Sequence, residues 1–121
     1  MDARNLLQPP DPVSAGEAFE TLLERPGVRL ERIISTGQST PPGRWYDQPG
    51  DEWVLLLQGE AALEFDDGSR VELGRGDAVL LPACLRHRVA RTSADPPCIW
   101  LALHLGTPGS GPAAGRAAPA D

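Results

Sequence analysis

The chain has two histidines, and one of them, His87, lies in a segment with the alternation of a strand. Alternation places His87 on the same face as Leu85 and Val89 and sends the two flanking arginines to the opposite face. An imidazole among apolar neighbours can ligate a metal or exchange a proton near neutral pH. The alternative is a core histidine that is hydrogen-bonded to Glu52 or Tyr46.

Glu52 stands at the head of the apolar segment 53–57. A carboxylate that enters an apolar interior is costly unless it is paired or bound to a metal, although Glu52 could also cap the strand at its solvent edge. Together with Asp47 and His87 it would form a set of two carboxylates and one histidine, which suits iron(II), manganese or zinc. Asp47 also fits an ordinary surface turn.

A long polar segment rich in glycine and proline precedes Glu52, and its aromatic residues are Trp45 and Tyr46. Loops of this length in compact domains usually belong to binding sites or lids. Both aromatic side chains combine apolar area with a polar atom, so they are predicted to contact a bound ligand. Gln48 in the same segment could provide a further oxygen ligand.

The two cysteines, Cys84 and Cys98, lie within apparent strand segments, Cys84 in the block 76–87. Cys84 is close to His87, which suggests a thiol nucleophile that contacts the ligand; the alternative is a small buried apolar residue. No signal peptide precedes them, so the thiols are expected to be reduced in a cytoplasmic protein.

Short strands must position these residues. Branched and aromatic residues between turn residues predict strands over residues 28–35, 53–57, 61–66, 69–73, 78–81, 86–92 and 98–105. The pair Asp67-Gly68 predicts a hairpin with a type I′ turn. Seven or eight short strands at spacings of about ten residues indicate an all-β sandwich or barrel.

One short helix is predicted in front of the strands, over residues 14–25. Ser14 and Glu17 fit a capping box, and Phe19, Leu22 and Leu23 recur at helical spacing before a Pro-Gly stop.

The two ends of the chain are expected to lie outside the barrel domain, which spans residues 14–105. Residues 1–13 read as an extended N-terminal arm rich in proline. Residues 106–121 contain no aliphatic side chain larger than alanine, so they read as a disordered tail.

Composition excludes several classes of function. The net charge is −6, which argues against binding to nucleic acid or to an anionic membrane surface. All 11 basic residues are arginines, so Schiff-base chemistry on lysine is excluded. No apolar run approaches the roughly 18 residues of a membrane helix.

The segment that ends at His87 matches a known motif. Gly76, Pro82 and His87 have the spacing of the second motif of the small single-domain cupins, with Cys84 where that motif has a glycine. Glu52, six residues and Gly59 match the end of the first motif. Over residues 28–105 the chain therefore resembles the cupins. The resemblance implies an antiparallel double-sheet (jelly-roll) barrel with a pocket open at one end, commonly a homodimer.

The first motif departs from the family at its two histidines, which in cupins precede the glutamate and help to bind the metal. Tyr46 and Gln48 occupy those positions here, or Trp45 and Asp47 if the spacer is one residue longer. What the resemblance still implies is one divalent ion of iron, manganese, nickel or zinc in a modified site. The candidate ligands are His87, Glu52, Asp47 and Gln48.

The sequence therefore predicts a pocket for a small polar molecule, with a metal assisting chemistry of the oxygenase, isomerase or lyase type. A metal-free binding or sensor module and a purely structural dimer remain as alternatives. The first predicts an ion that is lost on mutation of His87, and the second predicts ligand binding without one. Trp100 and His104 share a face of the last strand, and the sequence does not decide whether that face lines the pocket.

Overall fold

The computed structural model describes residues 1–8 and 16–106. Within them the chain forms eight strands and no α-helix. The strands are β1 (Ala18–Arg25), β2 (Val28–Ser35), β3 (Asp51–Gln58), β4 (Ala61–Phe65), β5 (Arg70–Leu73), β6 (Ala78–Leu81), β7 (His87–Thr92) and β8 (Cys98–Leu105). They form a five-stranded sheet in the order β1-β2-β8-β3-β6 and a three-stranded sheet in the order β5-β4-β7. All pairings are antiparallel, and the predicted all-β double-sheet architecture is confirmed.

The core lies between the inner faces of the two sheets. Along β3 and β8 every second side chain points inward, as the two-residue period of a strand requires. Leu56, Cys98 and Ala102 are completely buried there. Full burial of a side chain such as Leu56 contributes about 1.5–3 kcal/mol. This apolar packing fixes the positions of the two sheets, which together surround the pocket.

The predicted helix over residues 14–25 is wrong, because residues 18–25 form the edge strand β1. The register of β1 on β2 shifts between Thr21 and Leu23, so Leu22 is an extra residue in the strand. A bulge of this kind breaks the two-residue period. It turns Leu23 away from the face on which Phe19 lies, and the resulting spacing of apolar residues imitates that of a helix. Pro-Gly forms the turn into β2 instead of ending a helix.

The hairpin between β4 and β5 lies where the sequence predicts it, but its turn type differs. The Gly68 amide donates to the Phe65 carbonyl at 2.9 Å, so the central residues of the turn are 66 and 67. Neither has positive φ, which a type I′ turn requires. Gly68 follows with a φ of 89°, so the loop is of the type I kind with a glycine bulge. Hydrogen bonds from Ser69 lower the pKa of Asp67 in this turn.

The segment between β2 and β3 lies along β7 at the open edge of the three-stranded sheet. Tyr46 and His87 exchange two backbone hydrogen bonds, of 2.7 and 3.1 Å. Further along, the Thr40 amide donates to the Val89 carbonyl at 2.8 Å. The long polar loop predicted from the sequence is therefore held as a wall beside the strand that contains His87.

The first eight residues lie on the outer face of the five-stranded sheet. Arg32 is 4% exposed and donates to the carbonyls of Leu6 and Gln8 at 3.2 and 2.7 Å. Its guanidinium also forms a salt bridge with Glu20, and Arg4 of the N-terminal arm forms a second salt bridge with the same glutamate. Although burial acts to raise the pKa of Glu20, hydrogen bonds and positive charge from these two arginines lower it on balance.

A row of five apolar side chains crosses the outer face of the same sheet. Cross-strand pairs place Leu23 opposite Leu30, then Leu103, Trp53 and Leu80, one residue from each of the five strands. Leu23, Trp53 and Leu80 are 43%, 36% and 53% exposed. We call this set the apolar row. It lies on the opposite side of the sheet from the pocket.

Part of the predicted arm, the start of the predicted helix and all of the predicted tail except Gly106 lie outside the described residues. Residues 1–8 and 16–106 include no helix long and apolar enough to cross a membrane.

Candidate functional site

A cavity opens between the two sheets, with about 550 Å³ of space when its solvent-open mouth is included. Both sheets contribute apolar side chains to its walls, chiefly Ile33, Val54, Leu63, Leu81, Val89 and Trp100. Polar side chains also line it. The combination of apolar walls and a few converging polar groups is typical of small-molecule sites.

Five of these polar residues are almost completely buried. They are Glu31 (1% exposed), Gln48 (7%), Glu52 (8%), His87 (6%) and His104 (3%). Four of them belong to the strands β2, β3, β7 and β8, and the fifth belongs to the segment along β7. The site therefore depends on the closure of the whole barrel rather than on any one local motif.

A chain of hydrogen bonds links four of the five. Glu31 Oε1 lies 2.9 Å from His104 Nε2, and His104 Nδ1 lies 3.2 Å from Gln48 Oε1. Gln48 Nε2 donates to Glu52 Oε1 at 3.3 Å. We call this chain the Glu31–Glu52 network.

The donors in this network can be assigned from the acceptors. An ionised carboxylate only accepts, so the amide nitrogen of Gln48 faces Glu52 and its oxygen faces His104. His104 contacts Gln48 through Nδ1 and Glu31 through Nε2, so both of its ring nitrogens are engaged in the network.

His87 lies beside this network in a fixed orientation. Its Nδ1 is 2.9 Å from the Leu85 carbonyl, which only accepts, so Nδ1 carries the proton. The Tyr46 ring stacks on the imidazole, with centroids 5.5 Å apart and planes at 17°. Nε2 points to Glu52, whose Oε1 is 3.7 Å away. His87 therefore presents one ring nitrogen to the cavity and can exchange a proton there.

Glu52 reaches the cavity because it lies on the inner face of β3 with Val54 and Leu56. On the neighbouring strand β8 it is opposite His104. Among the described residues, Gln48 is the one that donates to Glu52 Oε1, and Glu52 Oε2 is 3.9 Å from His104 Nε2, beyond hydrogen-bond distance. A carboxylate can accept about four hydrogen bonds, so Glu52 retains unused accepting capacity that faces the cavity.

The structure brings together four of the residues predicted from the sequence: Gln48, Glu52, His87 and Tyr46. It leaves Asp47 exposed, because Asp47 points away from the cavity between its two inward-facing neighbours. Trp45 does not line the cavity either, and its ring lies 5.7 Å from the guanidinium of Arg86.

Cys84 is exposed and lies in the turn before β7, not in a strand. Neither the predicted ligand contact nor the alternative of a small buried residue agrees with this position. Its φ is 65°, the left-handed conformation that favours glycine. The structure thus explains why the cupin motif has a glycine here, although this chain does not. The Cys84 amide donates to the Gln48 carbonyl at 2.8 Å, so the turn supports the backbone of the site.

The sequence did not identify Glu31 as a site residue and left His104 and Trp100 undecided, yet all three line the cavity. Strand alternation places Glu31 and Ile33 on one face of β2. This pattern could have suggested that Glu31 faces the barrel interior. It could not establish that this face is the inner one, because Arg32 on the opposite face is equally buried.

The buried polar groups do not fit the metal site predicted from the sequence. In the part of the chain that the structure describes, no group of three or more histidine, cysteine, aspartate or glutamate side chains is arranged to hold an ion. Asp47 is outside the cavity, and both ring nitrogens of His104 are engaged in hydrogen bonds. The amide of Gln48 is engaged with Glu52 and His104, so His87 and Glu52 remain of the four predicted ligands, fewer than the three protein ligands of a catalytic zinc site.

Comparison with known proteins gives one family and many structural neighbours. The model of the cupin domain family matches residues 32–104. A Ralstonia eutropha crystal structure, of a protein proposed to be a mannose-6-phosphate isomerase, is 42% identical, with a TM-score of 0.81. That match covers 88% of this chain and 100% of the other. No curated protein matches the sequence.

Two more distant structures share the fold. A cupin superfamily protein from Desulfitobacterium hafniense is 21% identical, with a TM-score of 0.67, and the match covers 88% of this chain and 84% of the other. The DMSP lyase DddQ from Ruegeria pomeroyi is 20% identical, with a TM-score of 0.65. There the match covers 87% of this chain and 58% of that protein.

Proposed function

The chain belongs to the cupin family, and on that premise we propose that its barrel pocket binds a small polar molecule without a metal. The observation that supports this proposal is the convergence of five buried polar side chains on one cavity. Buried carboxylates and imidazoles stabilise a fold less than well-packed apolar residues of similar volume. Natural proteins keep such costly arrangements chiefly at functional sites.

The chemistry that this site supports best is proton transfer. Glu52 has accepting capacity in the cavity, and His87 presents one ring nitrogen beside it. A bound molecule that touches either group could lose a proton to it and take the same proton back at a neighbouring atom. Steps of this kind occur in isomerases and lyases, and they need only the side chains that are present.

The name of the Ralstonia neighbour raises a sugar phosphate as a second candidate ligand. Phosphate groups in protein sites are usually held by arginine, lysine or clustered backbone amides. No arginine in the described part of the chain lines the cavity, and the sequence has no lysine. We therefore do not carry that substrate over to this chain.

The first test is elemental analysis of tag-free protein, purified without chelators or a nickel column. We expect iron, manganese, nickel and zinc to be well below one ion per chain, in the wild type and in His87→Ala alike. Small polar compounds added in the presence of EDTA are expected to change the fluorescence of Trp100, which lines the cavity.

A near-stoichiometric ion that disappears in His87→Ala would contradict the metal-free proposal and restore the metal site predicted from the sequence. If no compound changed the fluorescence of the wild type, the binding proposal itself would fail. His87→Gln serves as a second variant, because the amide preserves a polar side chain of moderate size while removing the titratable ring.

We also propose that the protein is a homodimer that buries the apolar row. A second copy would present the same row, and a two-fold axis would match the two surfaces. The described part of the arm, residues 1–8, lies against Arg32 and near Leu57 and Leu101, while Leu23, Trp53 and Leu80 are exposed. A partner sheet would remove their apolar area from water.

Substitution of Leu80 by arginine is expected to convert the dimer to a monomer, because it places a charge within the apolar contact that the dimer would bury. Light scattering coupled to size-exclusion chromatography measures the mass directly. Glu60→Arg is the matched control: its side chain is 73% exposed and lies outside the apolar row, so the dimer should persist. A wild type that is monomeric at high micromolar concentration would overturn this proposal.

A further inference from the structure

The charged residues that line the cavity are predominantly acidic. Three carboxylates line it, from Glu17, Glu31 and Glu52, while no arginine in the described residues does so. The arginines nearest to the site in sequence are engaged elsewhere. Arg88 pairs with Glu64 at 2.7 Å, and Arg86 lies over the ring of Trp45. In the described part of the chain, no guanidinium is therefore available to a ligand in the cavity.

The three carboxylates differ in how fully they are engaged. Glu31 Oε1 lies 2.9 Å from His104 Nε2. Glu17 accepts a 2.7 Å bond from the Ser35 hydroxyl. Glu52 accepts one longer bond, of 3.3 Å, although its side chain is only 10% exposed. Of the three carboxylates, Glu52 is thus the one with the longest hydrogen bond among those to described residues, and it faces the cavity.

Aromatic side chains also line the cavity that Glu52 faces. Phe19, Tyr46 and Trp100 all line the same cavity. The faces of aromatic rings carry partial negative charge and attract cations. A buried carboxylate together with aromatic walls provides both electrostatic attraction and apolar contact for an organic cation. The same surroundings would repel a phosphate or a carboxylate.

We propose that the ligand is a small organic ammonium ion, with an apolar body and a protonated amine that donates to Glu52. This inference rests on the proposed function and specifies the class of ligand for that site. In the bound state the amine supplies hydrogen bonds that Glu52 does not receive from the protein. The apolar body packs against the walls formed by the two sheets.

A series of probes that differ only in their head group tests the proposal. Cyclohexylammonium, cyclohexanol, cyclohexanecarboxylate and cyclohexyl phosphate share one ring, so differences in affinity report on charge and hydrogen bonding. Isothermal titration calorimetry at pH 7.5 with EDTA measures each. We expect the ammonium to bind at least about tenfold more tightly than the alcohol, since charge-assisted hydrogen bonds are stronger than neutral ones. Neither anion is expected to give measurable heat.

Two variants identify the group responsible. Glu52→Gln is expected to reduce the affinity for cyclohexylammonium to that for cyclohexanol. Glu60→Gln removes one negative charge from an exposed position outside the cavity, so it should leave the preference unchanged. If Glu52→Gln does not fold, the wild-type series alone still decides the question.

The outcomes separate this inference from the proposed function. Equal binding of alcohol and ammonium would overturn the ammonium class while leaving a polar pocket in place. Tighter binding of either anion would overturn it in the same way. Absence of binding by all four probes, together with no fluorescence response to any polar compound, would overturn both proposals.

Discussion

Replacement of His104 by leucine is expected to lower the free energy of unfolding by about 3–5 kcal/mol, the usual cost of removing one partner of a buried ion pair. Glu31 is 1% exposed, and the 2.9 Å hydrogen bond from His104 Nε2 would be lost. The Glu31 carboxylate would still be removed from water in the folded state, but the hydrogen bond that offsets this cost would be absent. The effect should exceed what the change in apolar volume alone would produce.

Chemical denaturation followed by circular dichroism measures the loss. The matched control is the double variant Glu31→Leu and His104→Leu, in which carboxylate and imidazole are both replaced by apolar groups. Replacement of a buried ion pair by well-packed apolar residues is often neutral or stabilising. We therefore expect the double variant to be more stable than His104→Leu alone. If the double variant were the less stable of the two, the buried Glu31 carboxylate would not be what destabilises His104→Leu.

Substitution of Gly50 by alanine is expected to destabilise the fold by at least about 3 kcal/mol, at the upper end of the costs of overpacking. A Cβ atom at this position would lie 2.0 Å from the carbonyl oxygen of Leu105 and 3.0 Å from its carbonyl carbon. Both are backbone atoms, so no side-chain rotation relieves the contact. The backbone would have to separate where Asp51 pairs with Leu105 in the sheet.

Gly68→Ala is the control for this prediction. Gly68 has a φ of +89°, and a methyl group on its Cα would meet no other atom within 4 Å. The cost of alanine at position 68 comes only from the left-handed backbone conformation, which is worth about 1–2 kcal/mol. Thermal unfolding of both variants separates the cost of a steric clash from the cost of backbone conformation. Equal losses in the two would mean that β3 and β8 can separate near Gly50 at little cost.

Much of the strand pattern followed from the sequence because it depends on local composition. Strands β2, β6 and β8 have the predicted bounds, and each is a short run rich in branched residues between turn residues. The failure at β1 has an equally local cause. One extra residue, Leu22, shifts the strand's alternation, and periodicity alone cannot distinguish a bulged strand from a helix.

The site was predictable only where its residues follow one another along a motif. Glu52, His87 and the segment before β3 could be found in this way. The partner residues Glu31 and His104 are 73 positions apart in sequence, and they meet because β2 pairs with β8. That pairing is set by the tertiary structure, and no local pattern encodes it. The displacement of Asp47 from the cavity likewise depends on how its segment lies against β7.

The order of the five-stranded sheet also constrains how the protein can fold. The sheet runs β1-β2-β8-β3-β6, so its central strand is the last of the described strands to leave the ribosome. Until β8 is synthesised, the hairpin of β1 and β2 has no sheet to join, and the acidic residues later buried in the cavity remain hydrated. Formation of the pocket and closure of the sheet are therefore one event, late in synthesis and dominated by contacts between distant residues, which fold slowly.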